Sequence, residues 1–132
     1  MKYLMDTDIC VFLMNGDENV KRQFSYKRND GIAISAVTLS ELEFGVFNSK
    51  LPEKNKNKLN AFLIMVNIIP YGDEDAVEYG RLRATLTRSG NLIGPMDMLI
   101  AAQALARGLT LVTNNTREFG RVNGLVMERW RE

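Results

Sequence analysis

The chain predicts an α/β fold with a mainly parallel central sheet, and three observations carry that reading. Short runs that read as strands (KYLM, GIAIS, IIPY, LTLVT and GLVMERW) alternate with longer segments of helical character. One of those segments, MDMLIAAQALA, is apolar on nearly every side, so it belongs at the centre of a layered structure. The 132 residues are 45% hydrophobic, with no repeat, low-complexity stretch or linker, which suits a single domain spanning 1–132.

In chain order, KYLM reads as the first strand and DICVFLM as a short helix that stops near Asn15-Gly16. A polar helix over ENVKRQFSYK leads to the strand GIAIS. The next helix is placed from Thr38 through TLSELEFGVF, with Thr38 and Glu41 at the spacing of a capping box. A further helix follows Pro52 and carries Leu59, Phe62, Leu63 and Val66 at helical intervals. IIPY is a short strand, and Pro70 suits an edge position because it cannot donate to a ladder. DEDAVEYGRLRATLTRSG reads as a long helix, with acids in its first turn and Gly90 beyond its end. The apolar helix runs from Gly94-Pro95 to Gly108, LTLVT is an interior strand, and GLVMERW a short final one.

Composition narrows the chemistry. There is no histidine, which removes Ser-His-Asp and Cys-His nucleophilic schemes and ordinary zinc sites together. Carboxylate chemistry remains, alone or with hard cations that prefer oxygen ligands. A lone cysteine, Cys10, forms no internal disulfide and fits a reducing cytoplasm. Asp6 and Asp8 interrupt any signal-peptide core, and runs such as AFLIMV are too short to cross a bilayer.

The net charge of +1 recruits no polyanion globally. The cations are clustered, however: KLPEKNKNKLN holds Lys50, Lys54, Lys56 and Lys58, and Arg81, Arg83 and Arg88 follow later. A solvated helix face is the common reading of such runs, and an RNA-backbone surface is the alternative.

Several polar residues converge on one edge of the expected sheet. Asp6 follows the first strand, Glu41 and Asp97 lie in the first turns of their helices, and Asn114 and Asn115 follow LTLVT. Ligands of open parallel sheets bind beyond the carboxyl ends of the strands, where these residues meet. Each also has a purely local role. Asp6 or Asp8 can cap the first helix, Glu41 completes a capping box, Asp97 complements a helix dipole and Asn114-Asn115 makes a turn. A shared site explains their joint placement, which four separate local roles do not.

MDTDIC, SAVTLSELEFG, IGPMDMLIAAQALARGLTLVTNNTREFGRV and the closing ERW resemble, in order and over nearly the whole chain, the PIN-domain ribonuclease toxins of VapC type. The resemblance implies a PIN-like α/β/α sandwich and an endoribonuclease dependent on Mg²⁺ or Mn²⁺. It also implies a homodimer held inactive, in a hetero-oligomer, by a cognate VapB-type antitoxin. Carried over by position, the acids fall on Asp6, Glu41 and Asp97, and the fourth ligand position on Asn115, where many relatives have Asp. Thr7 and Thr113 fall where hydroxyls steady the ligands, and Asp8 is expected to cap the first helix rather than bind metal. If Asn115 lies outside the coordination sphere, Glu118 is the next candidate.

Two other readings compete. Asp6-Thr7-Asp8 has the spacing of the nucleophile and acid of haloacid-dehalogenase-like phosphohydrolases, but Asn114-Asn115 stands where that family needs an acidic pair. The acids could also form a structural ion site in a binding module without catalysis.

Overall fold

The computed structural model describes residues 1–132. Its first strand, β1 (Tyr3–Met5), is buried throughout, and its side chains divide between two cores. Tyr3 and Met5 belong to one apolar cluster and Leu4 to the other, as the alternation of a strand requires. The helices α1 (Thr7–Met14) and α2 (Glu18–Lys27) follow, and Val20 and Phe24 of α2 join the first cluster. β2 (Ile32–Ser35) returns to pair in parallel with β1. The helices α3 (Ala36–Phe47) and α4 (Pro52–Leu63) complete that layer, with Leu42, Val46, Leu59 and Phe62 in the core.

β3 (Asn67–Ile69) pairs with β2 at one edge of the sheet, and Pro70 lies just beyond it. The chain then crosses to the other layer. There α5 (Asp73–Ser89) packs on α6 (Pro95–Arg107), and each helix ends at a glycine in the left-handed region, Gly90 and Gly108. Glycine adopts that conformation at no steric cost, which makes it the usual helix stop. Ile100, Ala101, Ala102 and Ala104 of α6 are buried in the second cluster, as the apolar composition of that segment predicts. β4 (Thr110–Val112) pairs with β1, and β5 (Met127–Glu128) with β4. All pairings are parallel, and the strand order is β3-β2-β1-β4-β5. The fold is therefore the expected α/β/α sandwich.

Three local expectations are corrected. α3 begins at Ala36 rather than Thr38, because Ser35 is its N-cap and accepts from the Val37 amide at 2.9 Å. Glu41 is thus in the second turn, and it forms no capping box. Asp6, not Asp8, caps α1: its Oδ1 accepts from the Ile9 amide at 3.0 Å, while Asp8 is exposed in the first turn. Asn114-Asn115 reads as a turn, but a four-residue helix, α7 (Thr116–Phe119), follows at once with Asn115 at its N-cap position.

Candidate active site

The strand order locates the site. β2 and β3 are added outward on one side of β1, and β4 then takes the other side. The reversal falls between β1 and β4, so the crevice beyond their carboxyl ends is where such a sheet binds ligands. Asp6 immediately follows β1, and Thr113 to Asn115 immediately follow β4.

Asp6 is only 5% exposed. Burial pushes its carboxyl up to about 6, against a hydrogen bond from Thr113 and the Ile9 amide, which favour the charged form, and with the charges of Asp8 and Asp97 adding to the rise. Thr113 is fully buried, and its Oγ1 also accepts from the Asn115 amide at 2.9 Å. One hydroxyl thus ties the first acid to the loop after β4. On the other side, the Thr7 hydroxyl donates to Glu41 Oε1 at 2.7 Å and lies 3.2 Å from Thr38 Oγ1. Thr7 and Thr113 therefore steady carboxylates, as the family resemblance implies.

Asp97 stands in the first turn of α6. Burial is again the main cause that lifts its carboxyl to about 6, and the charges of Glu118, Glu41 and Asp8 push in the same direction. Glu118 is thus the acid whose charge acts most strongly on Asp97. It comes from the first turn of α7, three positions after Asn115, and its Oε2 accepts from Asn115 Nδ2 at 2.9 Å. Asn115 therefore reaches the cluster with its amide N–H turned toward Glu118, which leaves Oδ1 as its remaining acceptor. Asn114 is turned away and donates to the Arg131 carbonyl at 3.2 Å.

No cation of the protein answers these charges: the ion pairs of the chain involve other acids, at Glu18, Glu128, Glu43, Glu78, Asp75 and Asp17. Buried carboxylates without a counter-charge are costly, and they become less so when a cation binds. The donors are all oxygens, the set that Mg²⁺ and Mn²⁺ prefer. As the side chains stand, no three acids form a group able to hold an ion. Glu41 is turned to Thr7 and Glu118 to Asn115, so binding one ion by more than two acids requires rotamer changes in these flexible side chains. The chemistry of the donors fits a hard divalent cation. Cys10 offers nothing, because it is fully buried and burial pushes its thiol well above the ordinary range.

Residues 3–125 match the family model of the PIN domain. The chain belongs to the PIN-domain family. Within it, the chain is 40% identical over 131 residues to the tRNA(fMet)-specific endonuclease VapC of Shigella flexneri, covering 98% of both proteins. It is 42% identical over 132 residues to ribonuclease VapC2 of Rickettsia felis, again over 98% of each. The crystal structure of VapBC2 from Rickettsia felis, bound to a DNA fragment from its promoter, contains a chain that superposes with a TM-score of 0.95 at 39% identity. That match covers 98% of this chain and 99% of the other. The protein is thus a VapC-type PIN domain, and the phosphohydrolase reading of Asp6-Thr7-Asp8 falls away. No helix is long and apolar enough to cross a membrane.

Proposed function

We propose that the protein is a metal-dependent endoribonuclease, the toxin of a toxin–antitoxin pair, which hydrolyses RNA phosphodiester bonds. One observation carries this reading: Asp6, directly after β1 at the switch point of the sheet, and Asp97, in the first turn of α6, are both lifted to about 6, lie in one cluster of mutually repelling acids and form no ion pair with any side chain. A fold needs no such arrangement, whereas a cation site does. The VapC relatives named as ribonucleases support the activity.

Asp6 and Asp97 would hold Mg²⁺ or Mn²⁺, with Glu41 and Asn115 at its margin. A bound divalent cation supplies an activated water and offsets charge on the phosphoryl oxygens. The chain's own residues do the rest. Thr113 and the start of α1 hold Asp6 in place for that role. Glu41, held by Thr7, presents a carboxylate that can orient the attacking water and accept its proton. Glu118 keeps the negative field high around Asp97 and holds Asn115 in place. Because Asn115 brings no formal charge, a second cation would bind weakly and only with the scissile phosphate.

The solved relatives from Rickettsia felis and Salmonella typhimurium are VapBC complexes, and this supports a VapB-type antitoxin as the partner of this chain. An antitoxin guanidinium placed at the acids would form charge-assisted bonds in the position of the cation. The specificity of the Shigella flexneri relative makes initiator tRNA the first substrate to assay. Purified protein should cleave it with Mg²⁺ or Mn²⁺ and stop when the metal is chelated. Cleavage that persists in chelator contradicts the metal-dependent reading.

A further inference from the structure

A groove of about 230 Å³ opens beside the acids, between α1, α3 and α4. Thr7 and Glu41 form one wall, so whatever fills the groove also touches the catalytic edge. Val11, 37% exposed, is its accessible apolar lining, with the buried Leu59 beneath, and Asn15, Asn55 and Lys58 add polar lining. Its volume lies below the roughly 300–1,000 Å³ of drug-sized sites, which suits a single planar heterocycle.

Two further features mark it as a site. Gly45 lines the groove from the middle of α3, where a Cβ would meet nothing within 4 Å. Close packing therefore does not require glycine there, and alanine would favour the helix by about 1 kcal/mol. What glycine provides is open space. The second feature is charge. Lys56 is paired with Glu43, but Lys58 on the groove reaches only the neutral Asn15 Oδ1, at 2.8 Å. Lys54 stands one turn earlier on α4 and is exposed. The lysine run of α4 therefore presents unneutralised cations next to a site whose own acids repel phosphate.

We propose that this groove is the subsite for the nucleotide adjoining the scissile phosphate. Its base packs against Val11 with its edge toward Asn15 and Asn55, and its phosphate meets Lys58. This rests on the ribonuclease reading and extends it to substrate positioning. An unpaired loop base is what such a groove can read, since only unstacked bases expose both faces and edges. Lys58 and Lys54 favour a polyanion over a protein segment as the occupant.

The test is steady-state cleavage of a tRNA(fMet) transcript by the full chain with Mg²⁺, comparing wild type with Gly45→Leu, Lys58→Ala and Gly80→Leu. Gly80 is an exposed glycine of α5, remote from the groove, where a Cβ likewise meets nothing. Leucine favours helix at both positions, so both glycine variants should fold. Gly45→Leu and Lys58→Ala should each raise KM about tenfold while kcat and the thermal shift induced by Mg²⁺ stay near wild type. Lys58→Ala should also lower the salt dependence of binding by about one unit of slope. Gly80→Leu should match wild type. An unchanged KM in both groove variants overturns the proposal. So does an unchanged KM with lost antitoxin capture, which would assign the groove to a protein segment. Wild type that responds to Mg²⁺ in melting but cuts no RNA would overturn the ribonuclease reading, and the subsite with it.

Discussion

Two buried aspartates in this molecule meet opposite fates. Asp75, in α5, is fully buried, and burial alone would raise its carboxyl. Yet the Gly72 amide at 2.8 Å, the Arg107 guanidinium at 3.1 Å and the Gln103 amide at 3.2 Å all donate to its Oδ2 and hold it below its ordinary value. Arg107 and Gln103 also bond the Pro70 carbonyl, so the cluster ties the end of β3 to the second layer. Asp6 is nearly as buried, receives bonds from Thr113 and Ile9, is acted on by the charges of Asp8 and Asp97 and sits at about 6. The protein pairs Asp75 with its own cation through Oδ2, although Asp75 Oδ1 stays without a partner, and it pairs Asp6 with none. The first arrangement ties the fold together, and the second leaves a negative charge cluster at the sheet edge.

Activity should separate the two regions most sharply. Asp6→Asn and Asp97→Asn should each lower RNA cleavage by at least about 10²–10³-fold, the scale of losing one strong electrostatic contact to a transition state. Asp75→Ala, by contrast, should spare kcat in whatever fraction remains folded. Near-wild-type cleavage by either site variant would erase the distinction.

Stability should show the reverse. Asp75→Ala leaves Arg107 without its partner and should cost about 2–3 kcal/mol, below the roughly 3–5 kcal/mol of a fully buried pair because Arg107 is partly exposed. Denaturant unfolding measures this. Asp6→Asn should instead stabilise the metal-free protein, since Asn also caps a helix and removes a charge from an apolar setting.

The pH dependence follows from the same contrast. A carboxyl raised in the folded state binds more protons there than in the unfolded chain between 3.8 and about 6, so folding stability from Asp6 and Asp97 falls as pH rises through that window. Asp75 is lowered, so its contribution is present above its unfolded value of 3.8 and is lost as pH falls through its folded one. Metal-free melts at pH 4.5, 6 and 7.5 should show the acid-cluster decline in wild type and a smaller one in Asp6→Asn. Parallel curves for the two proteins would contradict it.

The smallest expected effect is that of Glu41→Gln on stability. Because Ser35 caps α3, this change should move unfolding by less than about 0.5 kcal/mol, as for substitutions away from caps and cores, while activity drops. A loss near 1 kcal/mol, the usual value of a cap, would restore a capping role to Glu41.

The layer order and the edge of the sheet that carries the site were legible in the chain, because apolar runs, Gly90, Gly108 and Pro95 mark their elements locally. The start of α3 was not. Ser35 and Thr38 are both good caps, and only the turn out of β2 decides between them. α7 is too short to show a period. The strong field of Glu118 on Asp97 joins residues from separate helices, and so does the pairing of Asp75 with Arg107. Sequence spacing carries no trace of either. The acids Asp6, Glu41 and Asp97 could be named because each directly follows a strand or opens near a helix start, where parallel sheets collect ligands.

The most direct test of the central proposal, that the acid cluster binds a divalent cation, is thermal unfolding at pH 7.5 with and without Mg²⁺ or Mn²⁺. Wild type should melt higher with metal, by an amount that corresponds to about 2.7 kcal/mol at a hundredfold excess over Kd. Asp6→Asn should melt above wild type without metal and gain little from it. A wild-type protein indifferent to both metals, or an Asp6→Asn variant that gains as much as wild type, would contradict the account.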